Sequence, residues 1–409
     1  MGDWKLFRLG DHCTKIGSGA TPRGGKDAYL DFGPYALIRS QNVHNLRFDW
    51  NGLAYIDDVA AEKLRNVEVR HADVLLNITG DSVARCCRVD ADALPARVNQ
   101  HVAIIRPDGE SLDPAFVMYW LASPRVQAQL LALASAGATR NALTKSMIES
   151  LQVSAPSVAE QRAIASVLAA LDDKIEFNRR MNEALEAMAR AMFDEWLLSD
   201  VSALPTMTLG EADCYIRKGI QPRYAERSGL RTLNQKVIQS SGLNRSAYRY
   251  HDTSAPVRED ALIRRGDVAI NSTGQGTLGR CYWFHHDEPD VIADGHVTIL
   301  RSNSEVWLPS FLGYWFTRPA MYGVLNDHAT GSTGQTGLGK RALEGLAVPC
   351  PPMEQQGRFD ATVSPLNERR HLNELESNTL AQLRDTLLPK LLSGEVRVRH
   401  AEEIVEAAT

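Results

Sequence analysis

Arg70-His71-Ala72-Asp73-Val74-Leu75-Leu76-Asn77-Ile78-Thr79-Gly80 and Arg264-Arg265-Gly266-Asp267-Val268-Ala269-Ile270-Asn271-Ser272-Thr273-Gly274 are one pattern written twice. In each, a basic turn leads to an aspartate, a short apolar run, an asparagine and a closing Thr-Gly. Short apolar runs bounded in this way predict strands. The repeat continues in both directions. Upstream, Leu9-Gly10-Asp11 returns as Leu209-Gly210-Glu211, and Pro22-Arg23 as Pro222-Arg223. Downstream, Arg85-Cys86 returns as Arg280-Cys281, and His101-Val102 with Arg106 as His296-Val297 with Arg301. Pro114, Phe116, Tyr119-Trp120 and Pro124 match Pro309, Phe311, Tyr314-Trp315 and Pro319. Lys145, Leu151, Val153, Pro156 and Glu160-Gln161 match Lys340, Leu346, Val348, Pro351 and Glu354-Gln355. The offset stays between 194 and 200 residues.

A period of this length is far beyond a solenoid or propeller unit. It describes a duplicated module, a mixed globular portion followed by a helical one. The chain divides into a first globular domain at 1–157, a helix at 158–199, a second globular domain at 200–352, a second helix at 353–398 and a tail at 399–409. The length of 409 residues alone would allow two to four domains. Within each globular portion the pattern is α/β (α+β). His101–Arg106 and His296–Arg301 are β-branched runs that predict a second pair of strands. Pro114 to Leu133 and Pro309 to Leu325 start on proline and carry aromatic and Leu residues at helical spacing. Polar loops follow at 135–141 and 330–337.

From Glu160 to Leu198 there is no Gly or Pro. Ile164, Leu168, Leu171, Ile175, Asn178, Asn182, Leu185, Ala189, Met192 and Trp196 advance by alternating steps of four and three, the rhythm of a coiled-coil seam. Val363, Leu366, Asn373, Leu380, Leu387 and Leu391 keep that rhythm in the second copy, where Pro365 predicts a helix start or a bend. Two equivalent helices in one chain predict an antiparallel pair, with a pseudo-two-fold repeat. Asn178 and Asn373 occupy corresponding seam positions, where a polar residue fixes register.

The net charge is −5, which excludes a polybasic protein gripping nucleic acid by bulk charge. Its distribution is uneven. Residues 1–159 are neutral and 199–353 carry +1, whereas 160–198 and 354–409 carry −3 each. A local basic face on either globular portion therefore remains open. The six cysteines are spread out with no CxxC, as reduced core residues would be. The opening Met1-Gly2-Asp3-Trp4-Lys5 lacks a secretory apolar run, and no long uncharged apolar stretch occurs, so the chain reads as cytoplasmic with no membrane partner.

Motifs for catalysis fail on inspection. Gly274-Gln275-Gly276-Thr277-Leu278-Gly279 fits GxGxxG, but the first copy has Gly80-Asp81-Ser82-Val83-Ala84-Arg85 there. Gly334 to Lys340 resembles a phosphate loop with Arg341 in the place of the Mg²⁺-binding hydroxyl. Cys350-Pro351-Pro352-Met353 lacks the polar residue that an amino-methyltransferase uses to hold its target amine. His285-His286 has no second cluster at metal-ligand spacing, so no metal site is expected. No catalytic residue is assigned.

Hydrogen-bonding side chains near loops recur instead. Arg, Lys, Gln and Asn have the fork or bidentate geometry that suits phosphates and base edges. The DNA-binding candidates are Arg23, Gln41, Asn42, Thr79, Arg85, Arg140 and Lys145 in the first copy. In the second they are Arg223, Gln235, Lys236, Thr273, Gln275, Arg280, Gln335 and Lys340. Asn77, Asn271, His101 and His296, at strand ends, read better as residues that satisfy the fold.

The arrangement resembles the specificity (S) subunit of type I restriction-modification systems. Trp4 to Asp11, Leu37-Ile38-Arg39-Ser40-Gln41-Asn42-Val43 and Gly266-Asp267-Val268 look like that family's domain motifs. Pro156 to Arg162 leading into Leu171-Asp172-Asp173-Lys174-Ile175 resembles the start of its helix, and Leu387 to Val396 its C-terminal end. Gly357 departs from the family's basic residue after Glu-Gln, which leaves the start of the second helix open. The resemblance implies two target-recognition domains, each reading one half of a bipartite double-stranded DNA site. The paired helices would hold them apart. A helix of ~38 residues spans ~57 Å, comparable with ~17 base pairs. It further implies that two methyltransferase subunits dock on the helices with S-adenosylmethionine, for adenine methylation, and that restriction/translocase subunits bring ATP and Mg. This chain itself would be non-catalytic and would hold no cofactor. The competing reading is a stand-alone bivalent DNA-binding scaffold or regulator of the same duplicated fold; a nucleotide enzyme using the Gly274–Gly279 loop is a weaker one.

Overall fold

The computed structural model describes residues 4–22, 24–136, 141–198, 204–226, 229–240, 242–331 and 336–406. Ten α-helices are present among them: α1 Asp58–Lys63, α2 Pro114–Ala122, α3 Pro124–Ser135, α4 Lys145–Glu149 and α5 Val158–Leu198 precede α6 Pro309–Phe316, α7 Pro319–Asp327, α8 Lys340–Glu344, α9 Met353–Ser393 and α10 Val398–Glu406. The chain forms two compact units. Unit 1 is Met1–Phe177 with Glu376–Thr409, and unit 2 is Asn178–Leu375, so each unit takes part of both long helices.

In unit 1 the strand quoted first, Val74–Asn77, lies inside an antiparallel sheet with Val102–Pro107, Cys13–Ser18 and Cys86–Arg88. All four of its residues are buried. The two-residue period of a strand explains why the run is continuously apolar. Val74 and Leu76, with Ala103, Ile105 and Cys86, face the core shared with α2 and α5. Leu75, with Val102, Ile104 and Cys87, faces a second core under another sheet. That sheet holds Ala54–Ile56, Tyr35–Ile38, Ala96–Val98 and Glu68–Val69, and its central pair, Tyr35–Ile38 with Ala96–Val98, is parallel.

Unit 2 repeats this plan. Val268–Asn271 pairs with Val297–Arg301 and Cys281–Trp283. Val268, Ile270 and Leu300 face one core, while Ala269, Val297 and Ile299 face the other. Its second sheet again has a parallel pair, Leu230–Leu233 with Val291–Ala293. The expected strands and the mixed α/β class agree with this architecture. The single helices expected at Pro114–Leu133 and Pro309–Leu325 are each two helices. A proline at 124 and at 319 lacks the N–H that an uninterrupted helix would need, and the residue before it is extended.

The long helices pair antiparallel within each unit. In unit 1, Lys174 meets Glu376 at 3.3 Å and Asp172 meets Arg384 at 2.6 Å, so positions rise on one helix as they fall on the other. Ile164, Leu168 and Leu171 are buried there with Leu380, Leu387 and Leu391, while Ile175 is half-buried. In unit 2, the Asn178 amide donates to the Asn373 carbonyl at 3.5 Å, and Asn373 Nδ2 donates to Asn182 Oδ1 at 2.8 Å. Beyond this polar layer the buried residues are Ala189, Phe193 and Leu197, facing Phe359 and Val363. Leu185, Met192, Trp196 and Leu366 are only half-buried. A straight helix drifts away from a strict seven-residue repeat, and here α5 also packs against α6, with the Phe193 and Tyr314 rings stacked at 5.6 Å.

Three expectations change. Pro365 neither starts nor stops α9, which begins at Met353 and passes through it. Of the tail expected at 399–409, the described residues up to Glu406 belong to helix α10, whose Ala401 and Val405 are buried in the core of unit 1. Gln161 corresponds to Gln356 rather than Gln355. Gln161 accepts from the Asp113 N–H and donates to the Ser111 and Pro156 carbonyls. Gln356 does the same with Leu308, Val306 and Pro351.

Candidate nucleic-acid interface

Five loops of unit 1 converge where Val74–Asn77 ends. Asn77, fully buried, donates its amide to the Ser40 and Val43 carbonyls at 2.9 and 3.2 Å, which ties down the loop carrying Gln41. Thr79 Oγ1 bonds His101 Nδ1 at 2.6 Å. Gln100 bonds the other ring nitrogen of His101 at 2.9 Å and accepts from Thr21 at 2.6 Å. Thr79 also pairs with Ala142, and the Leu143 N–H donates to the Ile78 carbonyl. This brings the segment leading to Lys145 into the cluster.

Unit 2 builds the same frame. Asn271 donates to the Gln235 carbonyl at 3.1 Å, Thr273 bonds His296 Nδ1 at 2.7 Å, Thr273 pairs with Gly337, and Leu338 donates to Ser272. Gly19 and Gly219 enter the two clusters at points of close approach. A Cβ would lie 1.7 Å from the Val98 carbonyl oxygen at the first and 2.0 Å from that of Ala293 at the second. No other residue fits there. The sequence signal for this approach is the shared Gly-x-x-Pro-Arg spacing, Gly19 to Arg23 and Gly219 to Arg223, which extends the Pro-Arg match by three residues.

The candidates separate into three groups. Arg85, Lys145, Arg223, Lys236, Gln275 and Lys340 are exposed. Lys145 and Lys340 open α4 and α8 in equivalent places, each near a glutamate one turn on, at 3.5 and 3.4 Å. These surface pairs are weak and exchangeable. Arg223 lies 3.8 Å from Asp252 with most of its side chain in solvent. A second group is partly tied: Gln41 donates to the Gly52 carbonyl, Gln235 accepts from Thr277, Arg280 donates to Gly276, and Thr79 and Thr273 hold the histidines. Asn42 forms the third. It is fully buried, accepts from the Arg39 N–H and donates to the Asp49 carbonyl at 2.9 Å. Its amide is committed to the loop, which removes it from the DNA-binding set. Arg23, Arg140 and Gln335 lie outside the described residues. His101 has hydrogen-bond partners at both ring nitrogens, whereas His296 is bonded at Nδ1 and is exposed.

Other groups at these surfaces escaped the sequence reading. Arg249 lies over the Tyr224 ring at 3.2 Å in unit 2, and Arg39 over Tyr29 at 5.1 Å in unit 1. Phe32, 88% exposed, stacks on Tyr55. Such contacts join residues distant in sequence, so no local pattern announces them. His44, beside the Arg47 and Arg85 guanidinium groups, is held below the ordinary histidine value by burial first and then by Arg47.

The loop at Gly274–Gly279 turns sharply, with its Leu278 N–H bonding the Gly274 carbonyl, and leads into the antiparallel strand Cys281–Trp283. A dinucleotide loop leads into a helix whose N-terminus faces the phosphates. Among the described residues no group of three His, Cys, Asp or Glu could hold a metal ion, and no helix is long and apolar enough to cross a membrane. All six cysteines are free thiols, and burial pushes those of Cys13 and Cys86 up to about 12.

Residues 1–187 match the model of the type I restriction modification DNA specificity domain. The chain is 22% identical to the type I restriction enzyme HindI specificity subunit of Haemophilus influenzae, over 97% of this chain and 100% of that protein. It is 19% identical to the putative type I restriction enzyme MjaX specificity subunit of Methanocaldococcus jannaschii, over 97% and 94% respectively. Among solved structures it is similar to the type I restriction-modification S subunit from M. genitalium, with a TM-score of 0.55 at 17% identity over 95% of this chain and 96% of that one. That last likeness concerns the fold.

Proposed function

We propose, from the premise that this chain belongs to the family of type I restriction-modification specificity subunits, that each of its two units reads one half of a bipartite DNA site. The observation that carries this reading is the doubled frame of convergent polar loops, Thr79–His101 in unit 1 and Thr273–His296 in unit 2. A single-site binder has no need of two such surfaces.

The exposed cations suit phosphate contacts, which position a protein on the duplex. Arg85 and Lys145 would do this in unit 1, and Arg223, Lys236 and Lys340 in unit 2. Gln41, Gln235 and Gln275 have side-chain amides able to give and accept at once, the geometry suited to adenine edges. Helices α5 and α9 serve as the spacer in this reading. Each has 41 residues, about 62 Å at the rise of an α-helix. Their acidity favours docking of protein over DNA.

The partners are two methyltransferase subunits, with restriction/translocase subunits where the system cleaves. S-adenosylmethionine, ATP and Mg act on those partners, and this chain supplies addressing rather than catalysis. A role on DNA places its work in the cytoplasm.

The test is to exchange residues 1–150 for those of a relative and to sequence the methylome of the host. One half of the modified sequence should change while the other and the spacing stay. A change in both halves would overturn the assignment of one half-site per unit. If the chain binds DNA but no methyltransferase co-purifies with it, the stand-alone scaffold is the correct reading instead.

A further inference from the structure

We propose that unit 2 holds a binding site for a compact zwitterion of the amino-acid type, in the cavity where the strand Cys281–Trp283, α6 and α9 meet. The cavity measures about 320 Å³, at the small end of ligand pockets. Three polar atoms at it are closed to solvent and have no hydrogen-bond partner among the described residues: Trp283 Nε1, His285 Nδ1 and Ser310 Oγ. Ser310 is 3% exposed and His285 9%. A buried polar atom without a partner is costly, and three at one cavity call for an occupant that answers them together.

The charges around the cavity define that occupant. Arg265 lines it, as do Asp360 and Glu368 on α9, and among the described residues none of the three forms a salt bridge. The Trp283 N–H, the Ser310 hydroxyl and the Arg265 guanidinium are donors for a carboxylate. Asp360 and Glu368 are acceptors for an ammonium group. His285 is held neutral, down to about 2, by burial first and then by Arg370, so it offers a hydrogen bond without adding charge. Water could fill the space, but a zwitterion would answer both signs of charge and the three buried polar atoms together.

The site belongs to the second copy. Counting back through the repeat, Trp283, His285, Ser310 and Asp360 correspond to Arg88, Asp90, Ala115 and Ala165. Ala165 is buried in the unit 1 core with no room or polarity to spare. Trp283 is seated by Gly313, where a Cβ would come within 2.2 Å of the indole. Because the shared frame does not require these residues, the donor set is an addition to it.

The full chain should be titrated with the proteinogenic amino acids, and with acetate and methylamine as single-charge halves. The readouts are thermal unfolding and the indole N–H resonance of Trp283, assigned through Trp283→Phe. At least one amino acid should raise the unfolding temperature at millimolar concentration and move that resonance, while neither half does so. Arg265→Gln and Asp360→Asn, both at positions open enough to leave folding intact, should each weaken binding by about tenfold. Ser310→Ala should weaken it less. A resonance unmoved by the whole panel would mean that the cavity holds only water. Equal response to acetate alone, or unchanged binding in both variants, would equally overturn the proposal.

Discussion

In unit 1, Arg106 clasps the buried Asp73 carboxylate through two nitrogens at 2.6 and 2.7 Å, and the Arg70 N–H adds a third bond. In unit 2, Arg301 clasps Asp267 at 2.7 and 3.1 Å, and the Arg264 N–H repeats the third bond. Beneath the loops the two copies are interchangeable. At the loop tips they diverge. Asp81 and Ser82 stand in unit 1 where unit 2 has Gln275 and Gly276. The exposed aromatic pair is Phe32 on Tyr55 in one and Tyr224 under Arg249 in the other. Duplication preserved the side chains that hold loops in place and a few that project, such as Lys145 and Lys340, while other residues at the tips differ. A protein meant to read two different half-sites would be built this way.

The largest expected effect tests the shared interior. Asp73→Asn and Asp267→Asn should each cost about 3 kcal/mol, because an arginine loses its partner in a buried setting. Urea unfolding of the full chain should show similar losses for both. A loss in only one would break the equivalence of the copies.

The next effect concerns the divergent tips. Gln275→Ala should remove about 2 kcal/mol of base discrimination at one position of one half-site. Binding of the complex to single-base variants of its target checks this, and any change in the other half-site would argue against independent units. Arg223→Ala or Lys236→Ala should instead weaken binding to all sequences and lower the salt slope by about 1.

A smaller effect is expected at the frame that links interior and tips. Thr79→Val and Thr273→Val should each cost about 1 kcal/mol by removing one hydrogen bond to histidine. Chemical denaturation should place the two variants together.

The last difference concerns acid. In unit 2 the rings of His286 and His371 stack at 4.0 Å, with His285 4.7 Å from His286. His285 and His371 are both held below the usual value of 6.5, in each case by burial first, with Arg370 next for His285 and His286 next for His371. The unfolded chain then takes up protons that the folded chain refuses. Stability is fully present above about pH 6.5 and is lost as pH falls below it. Thermal unfolding between about pH 7 and 5.5 should show this slope, reduced in His371→Gln. Glu288 beside them works in a lower window. Burial pushes its carboxyl up, but His286, Arg245 and Arg231 outweigh that and bring it down to about 2, so its contribution fades only as pH drops under the ordinary carboxylate value.

Much of this was legible without coordinates, for reasons that particular residues show. Val74–Asn77 and Val268–Asn271 could be recognised because a strand buried on both faces must be apolar throughout. The seam of α5 was readable from Ile164 to Asn178, where it meets α9. Further along, Trp196 still stacks on Phe359 of α9 at 4.9 Å, but the buried place goes to Phe193, which packs against both Phe359 and α6. Gln356 cannot be told from Gln355 beside it by sequence, because the two are chemically identical and only burial distinguishes them. Asn42 looked like its exposed neighbour Gln41 for the same reason. Helix α10 was missed because its apolar residues are few and gain their burial from a core formed by residues far away in the chain.

By itself the sequence determined the duplication, the α/β character of each copy, the two long helices and the acidity they carry. All of these follow from spacing and composition, which are local or periodic properties. Tertiary structure decided which asparagine, glutamine or histidine is spent on holding a loop and which is free to meet a ligand. That choice depends on whether a carbonyl from a distant segment arrives within hydrogen-bond reach, and no stretch of sequence contains both partners.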